Sequence, residues 1–473
     1  MLTYPMEERG SLPLYEYLCR SIRSDILSGA LPAGTRLPSK RALAEHLRVS
    51  VITVEGAYSQ LEAEGYLQAR PKRGFFVSAV ERPLPAAEEP PAAVPPEPQS
   101  PQARLDLSRN RVDTARFPVS TWAKLTRQVL SEAPEALLSP VPHQGLPALR
   151  QAIADELRDL KGMAVSPSQI IIGAGAEYLY LLLAQLLGRD TAFAVEDPGY
   201  PKIRQVYRAC GAACVPIPLD GQGIDPAALA ASGAGALHIS PNHQYPTGLV
   251  TPIARRQALL RWAEDTGGTI IEDDYDSEFR FTGRPIPTLQ SIDRAGRVIY
   301  VNTFSRTLAP SLRISYMVLP KSLTERYRAQ LGFYSSTVPA MEQHTLARFL
   351  DEGYFEAHIN RMRKSYRAQR DAVIDTILQS PLGEHCRVSG EDAGLHFLLT
   401  IDTKCTDHVL RADAEGRGVR LSFLSDFALR PGSAPQHTLV IHYPGIDLGR
   451  LRSALSILEA LLYFRDWKYK VRK

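Results

Sequence analysis

No stretch of this 473-residue chain approaches the roughly 18 uninterrupted apolar residues that a membrane-crossing helix requires, so nothing in it is expected to span a bilayer. Cysteine is scarce. Cys19, Cys210, Cys214, Cys386 and Cys405 are five in number, odd and scattered, which argues against a disulfide framework and a zinc site; they are expected to be free thiols, with no metal bound. Met1 to Gly10 lacks the basic start and apolar core of a secretory signal, and a cytoplasmic location is expected. Net charge is small as well: at +4 it gives no argument for nucleic acid, which must come from local motifs. What is present is 44% apolar and 22% charged residues, the balance of a globular protein, on a chain long enough for a small module and a large one.

The division between them is marked by proline. Eight prolines (Pro83, Pro85, Pro90, Pro91, Pro95, Pro96, Pro98 and Pro101) fall in a segment otherwise built of Ala, Glu and Gln. Such a segment favours polyproline II and acts as a semi-rigid spacer. The expected organisation is residues 1–80, a linker over 81–104, and a large domain over 105–473.

In the first module, Leu14, Leu18, Ile22 and Ile26 recur at helical spacing until Gly29 to Gly34 interrupts them. Ser39 is placed to cap a second helix. After Val49-Ser50, a third helix is predicted over Ile52 to Glu64, with Val54, Ala57, Tyr58 and Leu61 on one face. Tyr66 to Ala69 and Gly74 to Val77 read as short strands around a basic tip, Arg70-Pro71-Lys72-Arg73. This is the pattern of a winged helix-turn-helix. The wording Gly34-Thr35-Arg36-Leu37-Pro38-Ser39-Lys40-Arg41, Val49-Ser50-Val51-Ile52-Thr53 and Leu61-Glu62-Ala63-Glu64-Gly65-Tyr66-Leu67 resembles the GntR family of bacterial transcription regulators. The resemblance implies a double-stranded DNA operator as partner, with the third helix in the major groove and the wing tip at phosphates or the minor groove. Ser39, Arg41, Ser50, Thr53, Lys72 and Arg73 are the expected DNA contacts. Val51 stands where the family commonly has an arginine, so one basic contact is lost.

Beyond residue 105, helical stretches alternate with short apolar runs such as Ile170-Ile171-Ile172, Ala236-Leu237-His238-Ile239, Thr269-Ile270-Ile271 and Val298-Ile299-Tyr300-Val301. Alternation of this kind predicts an α/β domain with a largely parallel sheet covered on both faces. The whole domain resembles fold-type I aminotransferases, the pyridoxal phosphate (PLP)-dependent transferase fold, and its fusion to a GntR module is the signature of the MocR/GabR subfamily. The resemblance implies a phosphate site at the helix start Gly175-Ala176 and at Thr303, Ser305 and Arg313, an aromatic lid in Tyr200, and Asp273 and Tyr275 on the ring nitrogen and ring oxygen of PLP. A helix start suits a phosphate through its unsatisfied N–H groups and its dipole.

The chain departs from the enzymes at the reactive positions. In Thr303-Phe304-Ser305-Arg306, Arg306 stands where the Schiff-base lysine belongs, and a guanidinium is not a nucleophile. Tyr245 replaces the Asn before Pro-Thr-Gly, as is usual in the subfamily. In Leu439-Val440-Ile441-His442-Tyr443, Val440 stands where an arginine would clamp a substrate carboxylate. An engineered lysine replacement and native divergence both explain Arg306; Val440 favours divergence. The expectation is a homodimeric regulator without catalytic residues, sensing PLP or a related small-molecule effector bound noncovalently. An active aminotransferase with an added DNA module, and a ligand-independent regulator with a vestigial pocket, are the alternatives.

Overall fold

The computed structural model describes residues 2–80, 105–108, 112–132, 134–282 and 286–471, with side chains as far as residue 461. The chain divides into two compact units, Met1–Gln99 and Ser100–Lys473. The segment 81–104 read as a linker lies outside the described residues.

The first unit folds as helix, helix, helix and hairpin. Leu18, Cys19, Ile22 and Ile26 form the buried stripe of the helix Leu14–Ser28. That helix stops at Gly29, whose left-handed backbone (φ 86°) lets its N–H close back on Ile26. Ser39 and Ser50 cap the helices Lys40–Leu47 and Val51–Ala63, each hydroxyl accepting a backbone N–H of the first turn. The third helix therefore begins one residue earlier than predicted. Leu43, Val54, Tyr58 and Leu61 close the core, and each fully buried apolar side chain of this size contributes roughly 1.5–3 kcal/mol. The wing pairs Leu67–Arg70 antiparallel to Gly74–Val77. Lys72 (φ 62°) turns its tip, and Arg36 bridges to Phe76 along the outer strand.

The second unit is built on an eight-stranded sheet. From one edge the order is Ile170–Gly173, Ser315–Val318, Val298–Thr303, Thr269–Asp273, Ala236–Ile239, Phe193–Asp197, Cys214–Asp220 and Gly223–Ile224. From Val298–Thr303 to Cys214–Asp220 every pairing is parallel. Ser315–Val318 runs antiparallel to both of its neighbours; it follows Val298–Thr303 directly in the sheet, after a connection that holds the short helical segments Phe304–Thr307 and Pro310–Leu312.

Period-two alternation sends successive side chains to opposite faces. Ile171, Ile271, Ile299 and Val301 pack with Leu179, Leu183 and Leu186 of the helix Ala176–Leu187. Ile270 and Val298 pack on the other face with Leu259 and Trp262 of Ile253–Thr266, and Ile170, Ile172 and Tyr300 join Ile153 and Leu157 of Pro147–Lys161. Both faces are dry, which is why these strands read as continuous apolar runs. A smaller antiparallel sheet follows, Cys386–Ser389, His396–Ile401 and Thr438–His442. Its outer loop is tied to the large sheet at Asp197, whose carboxylate accepts from Leu429 N–H, Arg430 Nε and the Ser433 hydroxyl.

Candidate ligand pocket and winged-helix surface

The strand Thr269–Asp273 ends in the acidic run Glu272-Asp273-Asp274-Tyr275-Asp276-Ser277-Glu278, and alternation sorts those acids by face. Glu272 faces the side of Ile270 and caps the helix Leu289–Ile292, accepting the N–H groups of Leu289 and Gln290 at 2.8 and 2.9 Å. Asp274 turns the same way and takes Lys161 at 2.5 Å and the Tyr300 hydroxyl at 2.6 Å. Asp276 accepts from His243. Asp273 alone of the run shares the side of Ile271, toward the helix Ala176–Leu187, where the Tyr180 hydroxyl donates to Oδ2 at 2.5 Å.

Behind Asp273 stands a second layer. His238 Nε2 lies 3.5 Å from its carboxylate, and the Tyr207 hydroxyl meets His238 Nδ1 at 2.7 Å. Burial, and then the Asp273 charge, raise the Tyr180 phenol well above its ordinary value, so it stays protonated and donates. A buried carboxylate held by a phenol on one oxygen suits a cationic or N–H partner such as a pyridinium.

At the helix start, Gly175 has φ 96°, and a Cβ there would fall 2.1 Å from the Arg313 guanidinium, so only glycine permits this approach. Arg313, itself left-handed at φ 50°, donates to Glu177 at 2.6 Å, and Lys202 reaches the same carboxylate at 3.1 Å. Burial opposes ionisation of Glu177, but the bonds from Arg313, its own N–H and Lys202 hold its carboxyl down at about 2. Ser305 Oγ is buried and has no hydrogen-bond partner among the described residues. Thr303 is committed differently. Its hydroxyl oxygen accepts from Ser305 N–H at 3.1 Å and from the Ser315 hydroxyl at 2.8 Å, capping the short helix Phe304–Thr307.

Arg306 lies on that short helix among aromatic and imidazole rings. Burial raises the phenols of Tyr200, Tyr245 and Tyr275 above their ordinary value, and the Arg306 charge pulls each of them back. His442 is pushed down to about 3, first by burial and then by Arg306. The rings touch one another. Tyr200 meets Tyr245 edge-on at 5.7 Å, Tyr245 meets Tyr275 edge-on at 6.4 Å, and the Tyr245 hydroxyl lies 3.3 Å from His442 Nε2. Tyr275 is bonded to His243 Nδ1 at 3.2 Å. Val440 sits two residues from His442 on the same strand face, fully buried with Leu398, Leu424 and Ala434.

The structure thus brings Asp273, Tyr275, Tyr200, Ser305 and Arg306 to the carboxyl ends of neighbouring strands, with Gly175, Ala176 and Arg313 at the adjoining helix start. The sequence reading passed over Tyr180, Tyr207 and His238, which hold Asp273, and over His243, His396 and His442. Among 11 histidines nothing local marks those three, since contacts across about 150–200 residues bring them together.

On the winged-helix surface, Arg41, Lys72 and Arg73 are exposed. Ser50 and Thr53 share a hydroxyl bond of 2.8 Å at the start of the third helix. Val51 and Ile52 beside them are 43% and 79% exposed, an apolar pair at the same helix start that the sequence reading did not weigh as a contact. Lys40 braces the second helix against the third through Glu55 at 2.7 Å.

Residues 14–77 match the gntR family of bacterial regulatory proteins, and residues 102–410 match aminotransferase class I and II. The chain is 37% identical to the HTH-type transcriptional regulator YdeL of Bacillus subtilis over 95% of its own length and 96% of that protein. It is 32% identical to the probable rhizopine catabolism regulatory protein MocR of Rhizobium meliloti over 96% and 95% of the two chains. Identity is 34% to the pyridoxine biosynthesis regulator PdxR of Corynebacterium glutamicum, over 93% and 94%. Among solved structures, the kynurenine aminotransferase of Pyrococcus horikoshii aligns with a TM-score of 0.68 at 22% identity, covering 77% of this chain and 91% of that one, a likeness of fold. The chain belongs to the MocR family of HTH-type, DNA-binding transcriptional regulators, in which a GntR winged helix is joined to a domain of the PLP-dependent aminotransferase fold.

Proposed function

We propose that this regulator senses PLP, or a PLP-related compound, held noncovalently in the aminotransferase-like unit, and that occupancy changes its affinity for a DNA operator. The observation that carries the reading is the pairing of retained and lost parts in one pocket. Asp273 is buried and held on one oxygen by Tyr180, Ser305 Oγ has no partner among the described residues, and Gly175 admits Arg313 to the helix start, yet position 306 carries a guanidinium in place of an amine.

When bound, PLP supplies an electrophilic aldehyde and an electron-accepting ring. This chain's side chains do the holding. Arg313, Ser305 and the N–H groups at Gly175 and Ala176 would take the phosphate, Asp273 the ring nitrogen and Tyr275 the ring oxygen, with Tyr200 covering the ring. Arg313 would exchange Glu177 for a bound phosphate, leaving the Glu177 carboxylate to Lys202. With Arg306 unable to act as a nucleophile and Val440 in place of a cation, the pocket retains recognition without the means of turnover. The DNA contacts in this proposal are Ser39, Arg41, Ser50, Thr53, Lys72 and Arg73. Two copies of the chain would form the operator-binding homodimer, and ligand control requires that its two arrangements bind the ligand unequally.

The test is a titration of the purified protein with PLP, followed by absorbance and calorimetric heat, then by operator affinity with and without PLP. Saturable binding with the spectrum of the free aldehyde, and a shift in operator affinity, are expected. Absence of binding removes PLP as the ligand. Turnover of amino acids in a half-transamination assay would restore the enzyme reading. A ligand-independent regulator is the second reading, favoured by the carboxylate of Glu177 already seated on Arg313, and it predicts binding to DNA indifferent to PLP.

A further inference from the structure

Among the described residues, one cluster of His and Asp side chains converges as metal ligands do: His243, Asp276 and His396 each offer an atom within 4.8 Å of the other two. They come from three separate segments. His243 lies in the loop after the strand Ala236–Ile239, Asp276 follows Thr269–Asp273, and His396 opens the strand His396–Ile401 of the smaller sheet. All three are 2% exposed, so the cluster is closed off from bulk water.

The rings are set for ligation. His396 Nε2 lies 3.0 Å from the Pro246 carbonyl oxygen, which can only accept, so this nitrogen carries the proton and in the neutral ring Nδ1 carries the free electron pair. A metal-bound histidine is held in the same way, its second nitrogen donating to a backbone carbonyl or a carboxylate. The His243 ring lies 4.7 Å from the His396 ring, centroid to centroid, and Gly394 packs against it so closely that a Cβ there would fall 1.8 Å from its Cε1. His243 Nδ1 is 3.0 and 3.1 Å from the two oxygens of Asp276, while its Nε2 is buried and has no hydrogen-bond partner among the described residues. Hydrogen bonding leaves the cluster unfinished, and a buried carboxylate resting on imidazole calls for a cation.

We propose that His243, Asp276 and His396 bind a divalent transition-metal ion of the zinc class. Two imidazoles and one carboxylate suit such an ion, whereas calcium and magnesium need oxygen on nearly every side. At the usual bond lengths the ligand atoms of a tetrahedral ion lie roughly 3.3 Å apart. His243 and Asp276 are already near that separation at 3.0 Å, and small rotations bring in His396. Three protein ligands leave the fourth position to water. The Arg306 charge reaches His396 and opposes a cation there, and the Asp276 carboxylate offsets it. The ion would tie the loop over 241–248, which carries Tyr245, to the smaller sheet. Cysteine spacing gave no sign of this site, because its ligands are of other types and far apart in the chain.

The experiment is calorimetric titration of the tag-free full chain with zinc chloride after chelator treatment and dialysis, and with cobalt chloride followed by visible absorption. One zinc ion per chain, a raised melting temperature, and cobalt d–d bands without sulfur-to-cobalt charge transfer are expected. His396→Ala and Asp276→Asn should each weaken zinc binding by about a hundredfold or more. Asp276→Asn keeps the size of the side chain and an acceptor for His243, so circular dichroism and melting curves separate a lost ligand from a lost fold. The proposal is overturned if zinc does not bind at one equivalent, if cobalt shows thiolate charge transfer, or if binding survives in either folded variant. The probe is the metal alone, so failure of PLP to bind would sink the ring-pocket reading and leave this one standing.

Discussion

The hydroxyl of Tyr180 donates to Oδ2 of Asp273 across 2.5 Å, joining the helix Ala176–Leu187 to the carboxyl end of the strand Thr269–Asp273. The two ends of the proposed pocket are therefore set by one helix and one strand, packed through Leu179, Leu183 and Ile271. Tyr180→Phe removes the donor while keeping the ring in the core. PLP affinity should fall about tenfold, the order expected for one hydrogen bond to a charged group, and thermal stability should fall as well because buried Asp273 loses a partner. Calorimetric titration of the variant beside the parent chain checks this, and equal affinities would remove Tyr180 from the site.

Arg306→Lys tests whether only the anchor has been lost. A lysine at this position lies among Tyr200, Tyr245 and Tyr275, where a cation is already accommodated. Added PLP should then give a new absorbance band from a covalent lysine conjugate, which borohydride reduction removes and which adding Asp273→Ala weakens. Without a band, the remaining pocket does not hold the cofactor in register with position 306.

The DNA contacts proposed for the winged helix are of two kinds that salt separates. Arg41→Ala and Lys72→Ala should each weaken operator binding and reduce the slope of log affinity against log salt by about one. Ile52, 79% exposed at the start of the third helix, is placed for an apolar contact such as a thymine methyl, and Ile52→Ser should lower affinity severalfold while leaving the salt slope unchanged. Fluorescence anisotropy at several salt concentrations reads both effects.

Stability should fall on the alkaline side for an identifiable reason. Burial raises the Glu196 carboxyl from 4.5 to about 8, against the opposing bonds from Gln244 and Ser240 N–H. The folded protein therefore keeps a proton that the unfolded chain releases, and stability declines as pH rises from about 4.5 toward 8. Glu196→Gln removes that titration and should lessen the fall in melting temperature between pH 5.5 and 8 by about 2–4 °C. His442 acts in the opposite window. Its folded value of about 3 lies below the ordinary 6.5, so stability is lost as pH falls through that range. Melting curves across pH for the parent chain and Glu196→Gln separate the two limbs.

The sequence by itself determined the two folds and the pocket's chemical vocabulary. Helix stripes such as Leu18, Ile22 and Ile26, caps such as Ser39 and Ser50, and the doubly buried strands are local patterns, and local patterns are what propensity and period can carry. The absence of an amine at Arg306 was equally plain, because it depends on residue type alone. Tertiary structure decided which member of each group does what. Glu272, Asp273, Asp274, Asp276 and Glu278 look alike in sequence; the pleat and the packing of distant helices give Glu272 a helix to cap, Asp273 the Tyr180 hydroxyl, Asp274 and Glu278 the Lys161 ammonium, and Asp276 the His243 ring. Thr303 was drawn inward by Ser315, and Glu177 was drawn onto Arg313, by neighbours that no local pattern reveals. Burial is the physical reason for the difference: it turns each unmatched charge into a costly demand for one particular partner, and only the assembled fold fixes which partner is within reach.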